Sequence, residues 1–196
     1  RDDVAVAKRS GAAYVWFTNV DGTLGSQQTL TALETHGIMN GDMNGDGAMD
    51  IVSLQDGVVS IHINNGDGTF QVAQTYADGV SGSERRKPAL VDVDRDSDLD
   101  VVTSNTTAGT ISVFINSGGG VLESPDTYTV GSTPNMIVTG DLDGDGDADL
   151  VVGHRSATGV QVWKNDGSGN FTKTLTQDTS GGTHSVSVLV DANNDG

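Results

Sequence analysis

Four aspartate-rich segments recur along this chain at a near-constant interval, and that interval limits the folds open to it. GDMNGDGAMDIVSL begins at Gly41, VDVDRDSDLDVVTS at Val91, GDLDGDGDADLVVG at Gly140 and VDANNDG at Val190. Their first aspartates, Asp42, Asp92, Asp141 and Asp191, stand 50, 49 and 50 residues apart. A fixed period of this length marks one supersecondary unit used repeatedly, each copy completing its core against its neighbours.

The segments between the loops repeat as well. AAYVWFTNVDGTL from Ala12, VVSIHINNGDGTF from Val58, TISVFINSGGGVL from Thr110 and GVQVWKNDGSGNF from Gly159 are alternating apolar runs that end in Gly, Asn and Asp. Such a run reads as a strand entering a tight hairpin. Val59, Ile61 and Ile63 share one face, matched by Ile111, Val113 and Ile115, by Val160 and Val162, and by Ala13, Val15 and Phe17. A strand follows each complete loop, as in Ile51 to Leu54, and another precedes it, as in Met136 to Thr139 or Ser185 to Val190. With a strand after each hairpin, each unit holds about four strands and no helix. The expectation is an all-β, single-domain β-propeller over 1–196, built from four-stranded blades of about fifty residues and open to membership of a larger ring. The repeats fall at approximately 3–49, 50–99, 100–148 and 149–196. Trp16, His62, Phe114 and Trp163 line the opposite face of the hairpin strand. Packing between blades is the ordinary role of such a row, a glycan platform the rarer one.

The loops carry the chemistry. Calcium takes six to eight oxygens, and a tight loop supplies them from alternate positions. Positions 1, 3 and 5 are Asp42, Asn44 and Asp46; Asp92, Asp94 and Asp96; and Asp141, Asp143 and Asp145. Position 7 varies between Ala48, Asp98 and Asp147, as suits a backbone carbonyl ligand, and position 9 is Asp50, Asp100 or Asp149. The twelfth residue is Ser53, Thr103 or Val152, never the glutamate that closes an EF-hand, so strands flank a shorter loop of the same chemistry. Gly47 and Gly146 serve the sharp turn at position 6, where Ser97 accepts some strain. Solvated acidic turns are the plain alternative. With no basic residue fixed among them, three carboxylates in one turn repel strongly without a cation, which favours structural Ca²⁺ binding.

Composition excludes other classes. A formal charge of -17 with ten Lys and Arg argues against nucleic acid. There is no cysteine to staple the fold. No apolar run approaches a membrane span, and Arg1-Asp2-Asp3-Val4 does not read as a signal peptide, so an export signal would lie outside this sequence.

The loop pattern D-x-[DN]-x-D-[GS]-x-x-D before an apolar strand, followed by V-x-V/I-x-x-N-x-G-x-G-x-F, resembles the FG-GAP/VCBS repeats of integrin-α-like β-propellers. The resemblance covers essentially the whole chain. It implies a calcium-stabilised propeller, commonly of seven blades, in extracellular adhesion, glycan-binding or polysaccharide-degrading proteins. Four repeats are fewer than that ring, and no Arg-Gly-Asp sequence is present.

The fourth loop is divided. Asp191, Asn193 and Asp195 fill positions 1, 3 and 5, and Gly196 position 6. Asp3 precedes Val4 to Ala7 just as Asp50, Asp100 and Asp149 precede their strands, so joining the ends puts Arg1 at position 7 and Asp3 at position 9. Asp2 then stands at position 8, where the other loops have Met49, Leu99 and Ala148. The strand near Ser185 to Val190 could share a blade with the N-terminal strands of the same chain or of a neighbouring copy.

The leading functional expectation is a non-enzymatic, calcium-stabilised adhesion or protein-interaction module at the cell surface or outside the cell, its partner there a protein or a glycan. A lectin would use His36, Arg85, Arg86, Lys87 and His184, although a solvated loop is the favoured reading of Arg85 to Lys87. Part of a polysaccharide-degrading enzyme and a subunit of an extracellular assembly are the other readings, and no catalytic constellation stands out. Asn105-Thr106-Thr107 and Asn170-Phe171-Thr172 match glycosylation acceptors by a short motif only.

Overall fold

β-Branched residues alternating between Gly, Asn and Asp turns favour pleated strands. In the computed structural model, which describes residues 3–7, 13–30, 37–55, 57–77, 88–155 and 159–177, the elements are all strands. β1 (Val4–Ala7), β2 (Ala13–Thr18) and β3 (Leu24–Leu30) form a three-stranded sheet. The second sheet is β4 (Gly37–Gly41), β5 (Asp50–Gln55), β6 (Val58–His62) and β7 (Gln74–Ala77). The third is β8 (Ala89–Val91), β9 (Asp100–Asn105), β10 (Thr110–Phe114) and β11 (Asp126–Thr129). The fourth is β12 (Pro134–Gly140), β13 (Asp149–His154), β14 (Val160–Asn165) and β15 (Phe171–Gln177). Every pairing is an antiparallel meander between sequence neighbours.

The register repeats with the sequence. Ile51 lies opposite His62, Val101 opposite Phe114, Leu150 opposite Trp163 and Val4 opposite Trp16. β1 is therefore the counterpart of β5, β9 and β13, each the second strand of its sheet. Residues 50, 100 and 149, where the sequence repeats divide, open those second strands. Each complete sheet thus takes its first strand from the end of one repeat and the other three from the next. The aspartate loops lie between first and second strands.

No sheet buries a core alone; the apolar residues lie between sheets. Ala13, Val15 and Leu30 meet Ile51 between the first two. Met43, Val52, Leu54, Val59, Ile61 and Ile63 pack on Val101, Phe114 and Leu122 between the next two. Val102, Ile111 and Val113 pack on Leu150, Trp163 and Phe171 between the last two. Each fully buried aliphatic or aromatic side chain contributes about 1.5–3 kcal/mol. The face of β6 and β10 that carries Val59, Ile61, Ile111 and Val113 looks to the following sheet. The aromatic face looks to the preceding one, with Phe114, His62 and Trp163 buried. This stacking of four meander sheets is a β-propeller arrangement.

Candidate metal centre

Each complete loop is wound around its own carboxylates. The first aspartate accepts N–H bonds from positions 4 and 6 on different oxygens. Asp42 takes Gly45 and Gly47 at 2.8 Å each, Asp92 takes Arg95 at 2.7 Å and Ser97 at 3.0 Å, and Asp141 takes Gly144 at 2.7 Å and Gly146 at 2.9 Å. Position 5 accepts the N–H of position 7 in the same way: Asp46 from Ala48, Asp96 from Asp98 and Asp145 from Asp147. These side-chain turns require left-handed backbone at positions 4 and 6. Gly45, Gly47, Gly144 and Gly146 supply it, whereas the second loop places Arg95 at φ 67° and Ser97 at φ 78°.

The ninth-position aspartate is a latch. Asp50, Asp100 and Asp149, all fully buried, accept on Oδ2 the N–H of position 2 (Met43, Val93 and Leu142) at 2.7–3.0 Å. On Oδ1 they accept the N–H of a hairpin asparagine (Asn64, Asn116 and Asn165) at 2.7–2.9 Å. The loop is thereby tied to the third strand of its own sheet. Those asparagines reach further still. Asn116 Nδ2 donates to the carbonyl of Met43 at 2.8 Å, and Asn165 Nδ2 to that of Val93 at 2.7 Å, each across to the preceding sheet. Asp3 repeats the latch at the N-terminus, its Oδ1 accepting Thr18 N–H at 2.8 Å.

The arrangement gathers ligand oxygens. Carboxylate oxygens of Asp92, Asp94 and Asp100 lie within 4.8 Å of one another, as do those of Asp141, Asp143 and Asp145. In the first loop, Asn44 and Asp46 are joined side chain to side chain at 2.8 Å. An oxygen that accepts one N–H keeps a lone pair for a cation, so these bonds orient the ligands without exhausting them. The electrostatics favour a positive guest. Burial pushes Asp100 up to about 7 against the two N–H bonds that favour its ionised form. Burial, and then Asp46 and Asp42, raises Asp50; burial, Asp96 and Asp92 raise Asp94. A divalent cation reverses each of these penalties.

One sequence expectation is corrected: basic residues are fixed among the carboxylates. Lys164 Nζ pairs with Asp143 and holds that carboxyl below its usual range. Arg95 pairs with Asp147 and donates to the carbonyl of Asp145 at 2.9 Å, joining the second loop to the third. Both partners are distant in sequence, and Lys164 stands where the other hairpin strands place Phe17, Ile63 and Ile115. The latch asparagines were also missed as functional groups, although their recurrence before three of the four hairpins, with Thr18 in the first, was visible.

Asp191, Asn193 and Asp195 lie outside the described residues, as do His36, Arg85, Arg86, Lys87 and His184. Buried His62 has Ser53 Oγ 3.3 Å from its Nε2, and burial lowers its pKa. Asn105 is fully buried, with its amide nitrogen on Thr110 and Ser112, and this removes it as a glycan acceptor in the folded chain.

The FG-GAP-like repeat family matches residues 42–103, 92–152 and 141–196, three overlapping windows that each open on a first-position aspartate. This chain belongs to the FG-GAP-like repeat family. Its FG-GAP fold is similar to that of an Agrocybe aegerita lectin whose structure concerns specific recognition of non-reducing terminal N-acetylglucosamine. The TM-score is 0.63 at 23% identity, over 91% of this chain and 50% of that one. The FG-GAP chain thus spans half the length of the lectin, and the likeness speaks to fold. The Photorhabdus luminescens Tc holotoxin pore aligns over 92% of this chain and 11% of its own at TM-score 0.39 and 17% identity, too distant to bear on the fold. No curated protein matches the chain significantly in sequence.

Proposed function

We propose that this FG-GAP chain is a calcium-stabilised, non-enzymatic interaction module that works outside the cell or at its surface. The observation that carries the reading is the thrice-repeated loop, in which the same positions turn carboxylates inward around the junction of first and second strands. Ca²⁺ would be held by side chains at positions 1, 3, 5 and 9 and by the carbonyl of Ala48, Asp98 or Asp147. When bound it supplies positive charge and fixes the loop. The chain's own residues do the rest: positions 1 and 5 shape the turn, and position 9 ties it to the hairpin strand.

Oxygen-only loops of this kind suit the millimolar calcium found outside cells. In that setting the loops act as rivets, and the outer strands and hairpins are left to meet a protein or glycan partner. Binding to the folded state alone stabilises it by about 2.7 kcal/mol per site at a hundred times Kd. Calcium-loaded chain presented to a panel of glycans and extracellular proteins should retain a partner without altering it. Release of reducing sugar from a polysaccharide panel would overturn the non-enzymatic reading.

A further inference from the structure

Adjacent aspartate loops are tied together, at each step, by the amide of one asparagine. Asn116, just after β10, places its two side-chain N–H groups on two different loops. One meets the Met43 carbonyl, position 2 of the first loop, at 2.8 Å; the other meets the Leu99 carbonyl, position 8 of the second, at 3.1 Å. Asn165, at the end of β14, repeats the bridge one sheet further on. It reaches the Val93 carbonyl of the second loop at 2.7 Å and the Ala148 carbonyl of the third at 3.2 Å. Both asparagines are buried, as are Met43 and Val93.

The bridges end on the residues that hold the ninth-position carboxylates. Met43 donates its N–H to Asp50 at 2.8 Å while its carbonyl takes Asn116. Asn116 donates its own N–H to Asp100 at 2.8 Å, and the other oxygen of Asp100 takes Val93 N–H at 2.7 Å. The Val93 carbonyl takes Asn165, whose N–H donates to Asp149 at 2.9 Å. A buried line of hydrogen bonds, none longer than 2.9 Å, therefore runs from Asp50 through Asp100 to Asp149, one carboxylate from each complete loop. In a low-dielectric interior such bonds are strong and polarise one another.

A second tie joins the later pair of loops. Arg95, at position 4 of the second loop, pairs with Asp147 and donates to the Asp145 carbonyl at 2.9 Å in the third. Its own N–H is held by Asp92, the first-position carboxylate, at 2.7 Å. Order around Asp92 thus sets where the guanidinium meets the third loop.

We propose that the bridging asparagines make the calcium sites cooperative, a loop fixed by its ion lowering the cost of ordering the neighbouring loop. The inference rests on the calcium reading and adds how the sites act on one another. Asp100, once held as a ligand, fixes Asn116, and Asn116 fixes Met43, the residue that orients Asp50 in the first loop. The same step carries order between Asp149 and Asp100 through Asn165 and Val93. Ordering entropy lost at one loop is then not lost again at the next, so the second ion binds more tightly than the first. Linkage makes the effect reciprocal, and couplings of this kind are worth roughly 5–150-fold in affinity. Repulsion between two divalent ions has the opposite sign, so the direction of the effect separates the two causes.

Calcium titration followed by amide NMR tests the coupling, because the N–H groups of Met43 and Leu142 report separately on Asp50 of the first loop and Asp149 of the third. Asp94→Ala takes the position-3 carboxylate from the second loop, where it accepts only the Asp96 N–H, and removes no bond of the bridges. It should weaken calcium binding at both reporters by about fivefold or more. In an Asn116→Ala chain the same substitution should leave the Met43 titration where it was and still weaken that of Leu142. First and third loops that bind as before, or more tightly, in Asp94→Ala overturn the inference while the calcium reading stands, and this comparison leaves every bridge intact. An effect on Met43 that survives Asn116→Ala overturns it as well. No shift of either amide in the native chain at millimolar calcium overturns the calcium reading and this inference with it.

Discussion

Ser97 holds a left-handed backbone that the first and third loops assign to glycine. At the equivalent Gly47 an added Cβ meets open space, so the cost at this position is conformational and not steric crowding by neighbours. Ser97→Gly should stabilise the chain by about 1 kcal/mol, the roughly 1–2 kcal/mol of left-handed strain less the entropy that glycine adds to the unfolded state. The urea midpoint checks this, and a lower midpoint contradicts it. His62 gives a pH test. Burial lowers its folded pKa below the unfolded value near 6.5, so the unfolded chain binds the proton more readily. Its contribution is complete above that unfolded value and is lost as pH falls toward the folded one. His62→Phe, which installs the residue found at Phe114, should lose less stability between pH 7 and 5.5 than the native chain; parallel curves would count against the assignment. Position 97 was readable as strained from sequence, because glycine precedes and follows it at the same place in the repeat. Arg95 carried the same signal, since Gly45 and Gly144 stand at position 4 of the first and third loops, yet only position 6 was weighed in the sequence.

At the level of the element, the loop and the hairpin asparagine form one device. Asn116 spans two sheets from a fully buried position, bonding Met43 and Leu99 carbonyls. Asn116→Ala leaves both acceptors without this donor and should cost about 1–3 kcal/mol, read by thermal or chemical unfolding. A cost near zero would mean that the sheets are joined by apolar packing alone. Lys164 competes with any cation for Asp143, so Lys164→Met should tighten calcium binding by the third loop, by roughly tenfold in Kd. Calorimetry on that variant measures the change, and weaker binding would show Lys164 to support the site. Strand order and loop position were legible because a period of two and a period near fifty overlie each other without conflict. The latch role of Asp50, Asp100 and Asp149 was not, since both of its N–H partners lie outside the loop or across a turn.

Across the whole molecule, the repeat explains why the core is divided. Each sheet is apolar on both faces and must be covered twice, a requirement already implied by the paired rows on the hairpin strands. The sequence pattern did not indicate how unequal the end sheets would be, because Val4 and Val160 look in sequence like their buried counterparts. Solvent exposure separates them only once neighbours are placed. The formal charge of -17, concentrated in part in the loops, makes the folded state repel itself, and a bound divalent cation would relieve that repulsion. Calcium titration of chelator-treated chain, followed by calorimetry and by the melting temperature of the same samples, tests that role most directly. The account predicts at least three calcium ions per chain and a melting temperature that climbs as the loops fill. Absence of binding heat with an unchanged melting temperature at millimolar calcium would contradict it.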